Sequence, residues 1–166
     1  MNFFIDTISE EDLSQIIELT KRSLKDKNVK EWSYSGGYNA TNILLPLSSN
    51  KQLINILNSY TGYEHKNITS LHYINYPVGT SLQRHRDKEM LHIKNPPKSN
   101  TVIFMLSMCE QGGELLVEDV VTPFNTPGQY ISFDGESLFH EVKEIKEGNR
   151  ETLVLWYKPK SSFKAI

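Results

Sequence analysis

The sequence has 166 residues, of which 38% are hydrophobic, 10% aromatic and 23% charged, which is typical of one globular domain and excludes a disordered tail or a fibrous repeat. Eighteen basic and twenty acidic residues leave a formal charge of -2, so nucleic acid is an unfavourable partner. No apolar run has the length of a signal peptide or a membrane span, and the single cysteine, Cys109, suits a reducing compartment. We therefore expect a cytoplasmic protein that does not associate with membranes.

The first sixty residues carry two amphipathic patterns with helical spacing. The first stripe consists of Leu13, Ile16, Ile17 and Leu24, interrupted by Thr20, and the second consists of Leu53, Ile56, Leu57 and Tyr60. Ser9 with Asp12 predicts the start of the first helix, while Ser49 or Asn50 and then Gly62 predict the two ends of the second. We expect residues 1–67 to be mostly helical and to support the rest of the domain.

From about Thr69 onward, short runs of β-branched and aromatic residues alternate with turn residues, which predicts strands. The predicted strands are Ile68–Tyr76, Thr101–Ser107, Glu114–Val117, Gln129–Phe133, Glu141–Ile145 and Glu151–Tyr157. They follow one another too closely for crossover helices, so residues 68–160 are predicted to form an antiparallel sandwich or barrel. The long stretch Lys88–Asn100 is expected to be a mobile segment that covers substrate, with Tyr34–Asn39 as the alternative source of specificity.

A pattern with metal-ligand chemistry begins at His85-Arg86-Asp87. Residues i and i+2 of an extended segment project to the same side, so His85 and Asp87 can reach one divalent ion together. His140, at the start of a predicted strand, supplies a third group. Two histidines and one carboxylate form the facial triad of non-heme Fe(II) sites, which leaves three coordination positions open. The alternative is a surface turn in which Asp87 accepts backbone hydrogen bonds. The other histidines, His65, His72 and His92, are interpreted as packed or solvated side chains.

Arg150 opens the last predicted strand, in which strict alternation places Arg150, Thr152, Val154 and Trp156 on one face. A guanidinium followed two residues later by a hydroxyl can hold a carboxylate. The alternative is an arginine on an edge strand, paired with a surface acid such as Glu147 or Glu151.

Together these motifs resemble the 2-oxoglutarate and Fe(II)-dependent dioxygenases, most closely their prolyl-4-hydroxylase-like branch. The resemblance extends over about Leu71–Lys158 and rests on Tyr76-Pro77, Gly79-Thr80, His85-x-Asp87, the strand Thr101–Ser107, Gly112-Gly113-Glu114, Pro127-Gly128, His140-Glu141-Val142, Arg150 and Trp156, in the family's order. It implies a mainly β fold with N-terminal helices, namely a double-stranded β-helix of the jelly-roll, cupin-like type.

The resemblance also implies roles for individual residues. His85, Asp87 and His140 match the iron ligands, Arg150 matches the residue that binds the distal carboxylate of 2-oxoglutarate, and Tyr76 and Thr152 match further contacts of that cosubstrate. Fe(II), 2-oxoglutarate and O2 are then expected, with ascorbate as a candidate reductant. Related halogenases leave the position of Asp87 to a halide, so Asp87 favours hydroxylation.

One position departs from the family pattern. Where hydroxylases of this branch often carry a second tyrosine, this chain has Met105, whose thioether donates no hydrogen bond. We expect either a lower affinity for the cosubstrate or compensation by Tyr73 or Thr101.

The substrate implied by the resemblance is a peptidyl proline. A small molecule or a free amino acid is the main alternative, because a short chain has few extra loops with which to enclose a polypeptide. Nucleic-acid demethylases of the same superfamily carry a second arginine where this chain has Trp156. A different kind of hypothesis is a non-catalytic jelly-roll binding module in which His85, Asp87 and His140 only stabilise the fold around a metal such as zinc.

Overall fold

The computed structural model describes residues 2–26, 29–31, 40–87 and 100–158. The helices are α1 (Glu10–Leu24), α2 (Lys51–Thr61) and the short 3-10 helix His65–Asn67. The strands are β1 (Phe3–Thr7), β2 (Lys30–Glu31), β3 (Thr41–Leu45), β4 (Ile68–Tyr76), β5 (Leu82–His85), β6 (Asn100–Ser107), β7 (Gln111–Gly112), β8 (Leu115–Val117), β9 (Val120–Val121), β10 (Gln129–Phe133), β11 (His140–Val142), β12 (Ile145–Glu147) and β13 (Arg150–Tyr157). Within this part of the chain, no helix is long and apolar enough to cross a membrane.

Both predicted helices are present, and the start of α1 and the end of α2 follow the predicted chemistry. The predicted side-chain cap of α2 is wrong, because the side chains of Ser49 and Asn50 donate to the carbonyl of Pro46 instead. The hydroxyl of Ser9 accepts a hydrogen bond from the backbone N–H of Asp12 over 3.1 Å, which caps α1. Gly62 ends α2 in the left-handed conformation at φ 73°, which costs little without a Cβ atom. Thr20, the polar position of the first stripe, is buried, and its hydroxyl donates to the carbonyl of Ile16 over 2.7 Å.

The strands form two principal antiparallel sheets that pack face to face. The larger has the order β1-β10-β6-β13-β4-β3-β2, and the smaller has the order β5-β11-β8-β9. One apolar cluster joins residues of both sheets, including Ile103 and Val154 from the larger and Leu115 and Val142 from the smaller. A second cluster packs the helices against the opposite face of the larger sheet. This architecture confirms the prediction of a mainly β fold supported by N-terminal helices.

The N-terminal part also supplies strands, which the sequence analysis missed. β1 pairs with β10 and β3 pairs with β4, so both extend the larger sheet. Neither Phe3–Thr7 nor Thr41–Leu45 alternates strictly between apolar and polar residues, so no period of two marks them as strands. Their conformation is stabilised by partners that lie far away in the chain.

From residue 82 onward, the strands differ from the prediction in two places. The predicted strand Glu141–Ile145 is two strands, because β11 pairs with β5 and β8 whereas β12 pairs with β7. The strand Leu82–His85, which carries a candidate ligand, was not predicted.

Two predictions fall on stretches that the structure describes little or not at all. Lys88–Asn100 is predicted to be a mobile segment that covers substrate, and Tyr34–Asn39 is the alternative source of specificity. Residues 34–39 and 88–99 lie outside the described residues, and Asn100 begins β6.

Candidate active site

The smaller sheet brings the two candidate histidine ligands together. His85 ends β5, His140 begins β11, and the two residues are direct partners in the antiparallel register. Asp87 follows β5 at once, and its backbone N–H donates to the carbonyl of Gly135 over 2.8 Å. All three side chains are buried, and one potential ligand atom from each lies within 4.8 Å of the others. The predicted triad is therefore assembled in space.

The hydrogen bonds of the histidines select their tautomers. Nδ1 of His85 lies 2.7 Å from the carbonyl oxygen of Gln83, and Nδ1 of His140 lies 2.9 Å from that of Leu138. Because a carbonyl only accepts, each Nδ1 carries a proton, so a neutral ring has its lone pair on Nε2. The Nε2 atoms face Oδ1 of Asp87 at 3.2 Å and 3.0 Å respectively. Two Nε2 atoms and one carboxylate oxygen thus converge on the space where a divalent ion would fit, and an ion bound there would replace the Nε2 protons that Asp87 attracts.

The charges of the triad are coupled. Burial disfavours the charged form of Asp87, but the charge and hydrogen bond of His140, with those of His85, outweigh it and hold the pKa of this carboxyl well below its usual value. Burial alone would lower the pKa of His140, but the charge and hydrogen bond of Asp87 raise it above its ordinary value. Asp87 is therefore ionised at neutral pH and ready to ligate a cation.

The triad lines one wall of a cavity that lies between the two sheets. The other side chains around the cavity are mostly apolar and come from both sheets: Ile74, Leu82, Ile103, Leu115, Val142 and Val154. Arg150, Thr152, Tyr76 and Trp156 also line it. A small molecule held here would be largely shielded from water.

Arg150 is buried in this cavity, with 1% of its surface exposed. It begins β13, which lies between β6 and β4 in the larger sheet, so it is not on an edge strand. Its guanidinium carbon lies 5.0 Å from the ring centre of Tyr76, its direct partner in the β4 register. These observations exclude the alternative of a surface ion pair with Glu147 or Glu151.

Thr152 supports the fit of an anionic cosubstrate. Its side chain is buried on the same face as Arg150, and its Oγ1 has no hydrogen-bond partner in the part of the chain that the structure describes. A buried hydroxyl without a partner is costly, and a bound carboxylate would satisfy it. Arg150, Thr152 and Tyr76 together therefore fit a carboxylate at this end of the cavity.

Met105 is buried and lies directly opposite Thr152 where β6 pairs with β13. Neither proposed substitute for the missing tyrosine is available at this end of the cavity. Tyr73 packs in the cluster on the helix side of the larger sheet, where burial and the nearby carboxylate of Glu151 raise its pKa to about 12. Thr101 does line the cavity, but its hydroxyl donates to Asp87.

Three residues contact Asp87 in ways that the sequence did not predict. Thr101 Oγ1 and Trp156 Nε1 donate to Oδ2 of Asp87 over 2.8 Å and 3.0 Å. Gly135 packs so tightly that a Cβ atom there would collide with Thr101 and with Asp87. The alternation of β13 places Trp156 on the cavity face, but only the fold shows which group it contacts.

Of the remaining histidines, His72 is packed and His65 is exposed, as expected, while His92 lies outside the described residues. Nδ1 of His72 lies 2.8 Å from Oδ1 of Asn42, and its ring packs edge-on against Trp156. Burial lowers the pKa of His72 to about 4, so this ring is neutral at physiological pH.

Comparison with known proteins agrees with this geometry. The model of the 2OG-Fe(II) oxygenase superfamily matches residues 71–158, more than half of the chain. A comparison with curated proteins found no relative. Solved structures with a similar fold include a prolyl-4-hydroxylase from Pseudomonas putida, with 15% identity, coverage of 95% of this chain and 93% of that chain, and a TM-score of 0.63.

Two further prolyl hydroxylases share the fold. The viral collagen prolyl hydroxylase from Paramecium bursaria Chlorella virus-1, solved as a 2OG complex, has 16% identity, coverage of 94% and 95%, and a TM-score of 0.67. The prolyl hydroxylase from Trichoplax adhaerens, solved with a peptide fragment of the hypoxia inducible factor oxygen degradation domain, has 16% identity, coverage of 96% and 84%, and a TM-score of 0.70.

The chain therefore belongs to the 2OG-Fe(II) oxygenase superfamily. Its fold is the jelly roll of the prolyl-4-hydroxylase-like branch, as predicted. It is an oxygenase that uses Fe(II), 2-oxoglutarate and O2.

Proposed function

We propose that this oxygenase hydroxylates a prolyl residue of a peptide, with iron bound by His85, Asp87 and His140 and with 2-oxoglutarate held by Arg150, Tyr76 and Thr152. The observation that carries the proposal is that these six side chains line one largely apolar cavity. When bound, Fe(II), 2-oxoglutarate and O2 supply the oxidative decarboxylation and the oxidant that attacks a substrate C–H bond. The protein supplies geometry, charge and the exclusion of water.

The three ligands have complementary tasks. His85 and His140 would bind the iron through Nε2, because the backbone carbonyls of Gln83 and Leu138 hold a proton on Nδ1. Asp87 offers a charged oxygen from a buried position. A set of two histidines and one carboxylate leaves three positions for cosubstrate and O2. The carboxylate at position 87 also supports hydroxylation, since a halide would need that position.

The end of the cavity formed by Arg150 and Thr152 is suited to the distal carboxylate of 2-oxoglutarate. Arg150 presents a buried positive charge, and Thr152 presents a buried hydroxyl. A guanidinium binds a carboxylate in two-point geometry, and low exposure keeps water from screening the pair. Tyr76 packs against the guanidinium and restricts its position.

A peptidyl proline is the substrate that the observations favour. The Trichoplax adhaerens prolyl hydroxylase with a similar fold was solved with a peptide. The walls of the cavity are apolar, which suits a pyrrolidine ring, and the formal charge of -2 disfavours a nucleic acid. A free amino acid or another small molecule is the competing substrate class.

The first test addresses cosubstrate and metal. Anaerobic titration of the protein with Fe(II) and 2-oxoglutarate should produce a weak metal-to-ligand charge-transfer band in the visible range. Zinc cannot produce this band, so its appearance separates an oxygenase site from a structural metal site. Failure to develop the band, with Fe(II) bound, would contradict the assignment of the cosubstrate site.

The second test addresses the substrate. Succinate formation is measured with a panel of prolyl peptides, the matched peptides with alanine in place of proline, free amino acids and nucleotides. The proposal predicts stimulated turnover and the gain of one oxygen atom in mass for prolyl peptides alone. Stimulation by free amino acids but not by peptides would replace the peptide substrate with a small molecule.

A further inference from the structure

The two carboxylate oxygens of Asp87 have different surroundings. Oδ1 faces the Nε2 atoms of His85 and His140 and is the oxygen directed toward the proposed metal position. Oδ2 points away and accepts hydrogen bonds from Thr101 Oγ1 at 2.8 Å and Trp156 Nε1 at 3.0 Å. The side chain of Asp87 is buried, so water does not compete for either oxygen.

The two donors are fixed relative to each other by the larger sheet. Thr101 and Trp156 are direct partners in the register of β6 and β13, so both side chains project from the same face. Gly135 packs against Thr101 and Oδ2 so closely that no side chain would fit there. The carboxylate therefore has little room to rotate.

The indole ring of Trp156 is supported from behind. The ring of His72 packs edge-on against it, with the ring centres 4.8 Å apart and an interplanar angle of 70°. His72 is in turn hydrogen-bonded to Asn42 of β3 over 2.8 Å, and both residues are buried. The orientation of the Trp156 N–H is thus set by residues from two further strands.

From this arrangement we propose that Thr101 and Trp156 are positioning residues that keep Asp87 a one-oxygen ligand of the iron. A carboxylate can bind a metal ion through one oxygen or through both. Binding through both would occupy two of six octahedral positions and, with two histidines, would leave two. The cosubstrate needs two positions and O2 needs one, so turnover requires that Oδ2 stay away from the metal.

This inference rests on the proposed iron site, and the test separates the two. The probe is Mn(II), which has the same octahedral preference and does not oxidise readily. Relaxation of bulk water protons reports how many exchangeable waters the bound ion carries. Wild-type protein should bind one Mn(II) with three waters, and saturation with 2-oxoglutarate should leave one.

The variants remove the donors without removing the ligand. In the double variant Thr101→Val with Trp156→Phe, the freed Oδ2 should bind the metal, so that Mn(II) carries two waters and none after 2-oxoglutarate is added. The single variant Thr101→Ser keeps a hydroxyl at position 101 and leaves Trp156 intact. Its Mn(II) should therefore carry the same number of waters as in wild-type protein. Three waters on Mn(II) in the double variant would overturn the inference while leaving the iron site in place.

Wild-type protein alone provides a second measurement if the double variant does not fold. Infrared difference spectra of protein with isotope-labelled aspartate, with and without Mn(II), give the separation of the two carboxylate stretching bands. A wide separation, typical of one-oxygen binding, is expected for Asp87, and a narrow one would overturn the inference. Absence of Mn(II) binding to wild-type protein would instead overturn the proposed metal site, and this inference with it.

Discussion

His85 and His140 face each other as direct partners across β5 and β11, with their ring centres 4.3 Å apart. This pairing gives both Nε2 atoms access to the same carboxylate oxygen of Asp87. The distance between the two strands therefore sets the distance between two of the three proposed iron ligands.

The first prediction concerns these two histidines. His85→Ala or His140→Ala removes one of three proposed protein ligands. Loss of a residue that only hydrogen-bonds to a ligand lowers metal affinity roughly 10–100-fold, so Fe(II) affinity should fall by more than that here. Turnover should be abolished. Anaerobic calorimetry with Fe(II) measures the affinity, and His65→Ala, at an exposed histidine, is the matched control. Near-wild-type affinity in either variant would remove that residue from the proposed ligand set.

The second prediction concerns Arg150. Arg150→Ala should weaken 2-oxoglutarate binding at least about 100-fold, because removal of one partner of a buried charge pair costs ~3–5 kcal/mol. Fe(II) binding should change little, since Arg150 is proposed to bind the cosubstrate and not the metal. The charge-transfer band measured against 2-oxoglutarate concentration gives the affinity.

The control for this variant is Arg84→Ala. Arg84 is half-exposed and pairs with Asp119 on the surface over 2.8 Å. Its loss should leave the cosubstrate affinity unchanged. An equal effect of the two substitutions would show that general charge, rather than a buried anchor, governs cosubstrate binding.

The third prediction concerns pH. Burial lowers the pKa of His72 from 6.5 to about 4, so between these values the unfolded chain binds a proton that the folded protein does not. The free energy of unfolding should therefore fall as the pH is lowered from about 6.5 to 4, by up to about 3 kcal/mol from this residue. Below that range His72 adds no further slope.

Denaturant unfolding of metal-free protein between pH 4 and 7 measures this dependence. His72→Gln should flatten it, whereas His65→Gln should not. His140 acts in the opposite direction, because its raised pKa stabilises the folded state at low pH and this stabilisation is lost as the pH rises. Because His140 is present in wild type and in both variants, its contribution cancels when each variant is compared with wild type. If the free energy of unfolding of His72→Gln depended on pH as steeply as that of wild type, the prediction would be contradicted.

The fourth prediction concerns Gly135. A Cβ atom at this position would collide with Thr101 Oγ1 and Asp87 Oδ2, so Gly135→Ala should displace the carboxylate and lower Fe(II) affinity. Gly79→Ala is the matched control, because Gly79 has φ +89° and nothing within 4 Å of an added Cβ atom. Both substitutions should lower the midpoint temperature of thermal unfolding. Gly79→Ala should do so because alanine is strained at a positive φ. Only Gly135→Ala should lower Fe(II) affinity in calorimetry, and equal affinities would contradict the proposed packing.

Local sequence patterns determined much of the supporting structure. The stripes of α1 and α2, the cap at Ser9 and the turn at Gly62 are properties of consecutive residues, and each is present as predicted. The strands Ile68–Tyr76 and Gln129–Phe133 have the predicted bounds. The alternation of β13 correctly placed Arg150 and Thr152 on one face, because a strand with period two leaves no other arrangement.

Tertiary structure decided how these pieces meet. No local pattern states that β5 pairs with β11, that short N-terminal strands extend the larger sheet, or that Trp156 donates to Asp87. Each of these contacts joins residues that are distant in sequence. Because the backbone hydrogen-bonding groups are the same at every position of a strand, they do not by themselves select a partner strand or a register. Partner and register are therefore selected by burial of a common core and by the geometry of the whole fold, which no local window of sequence contains.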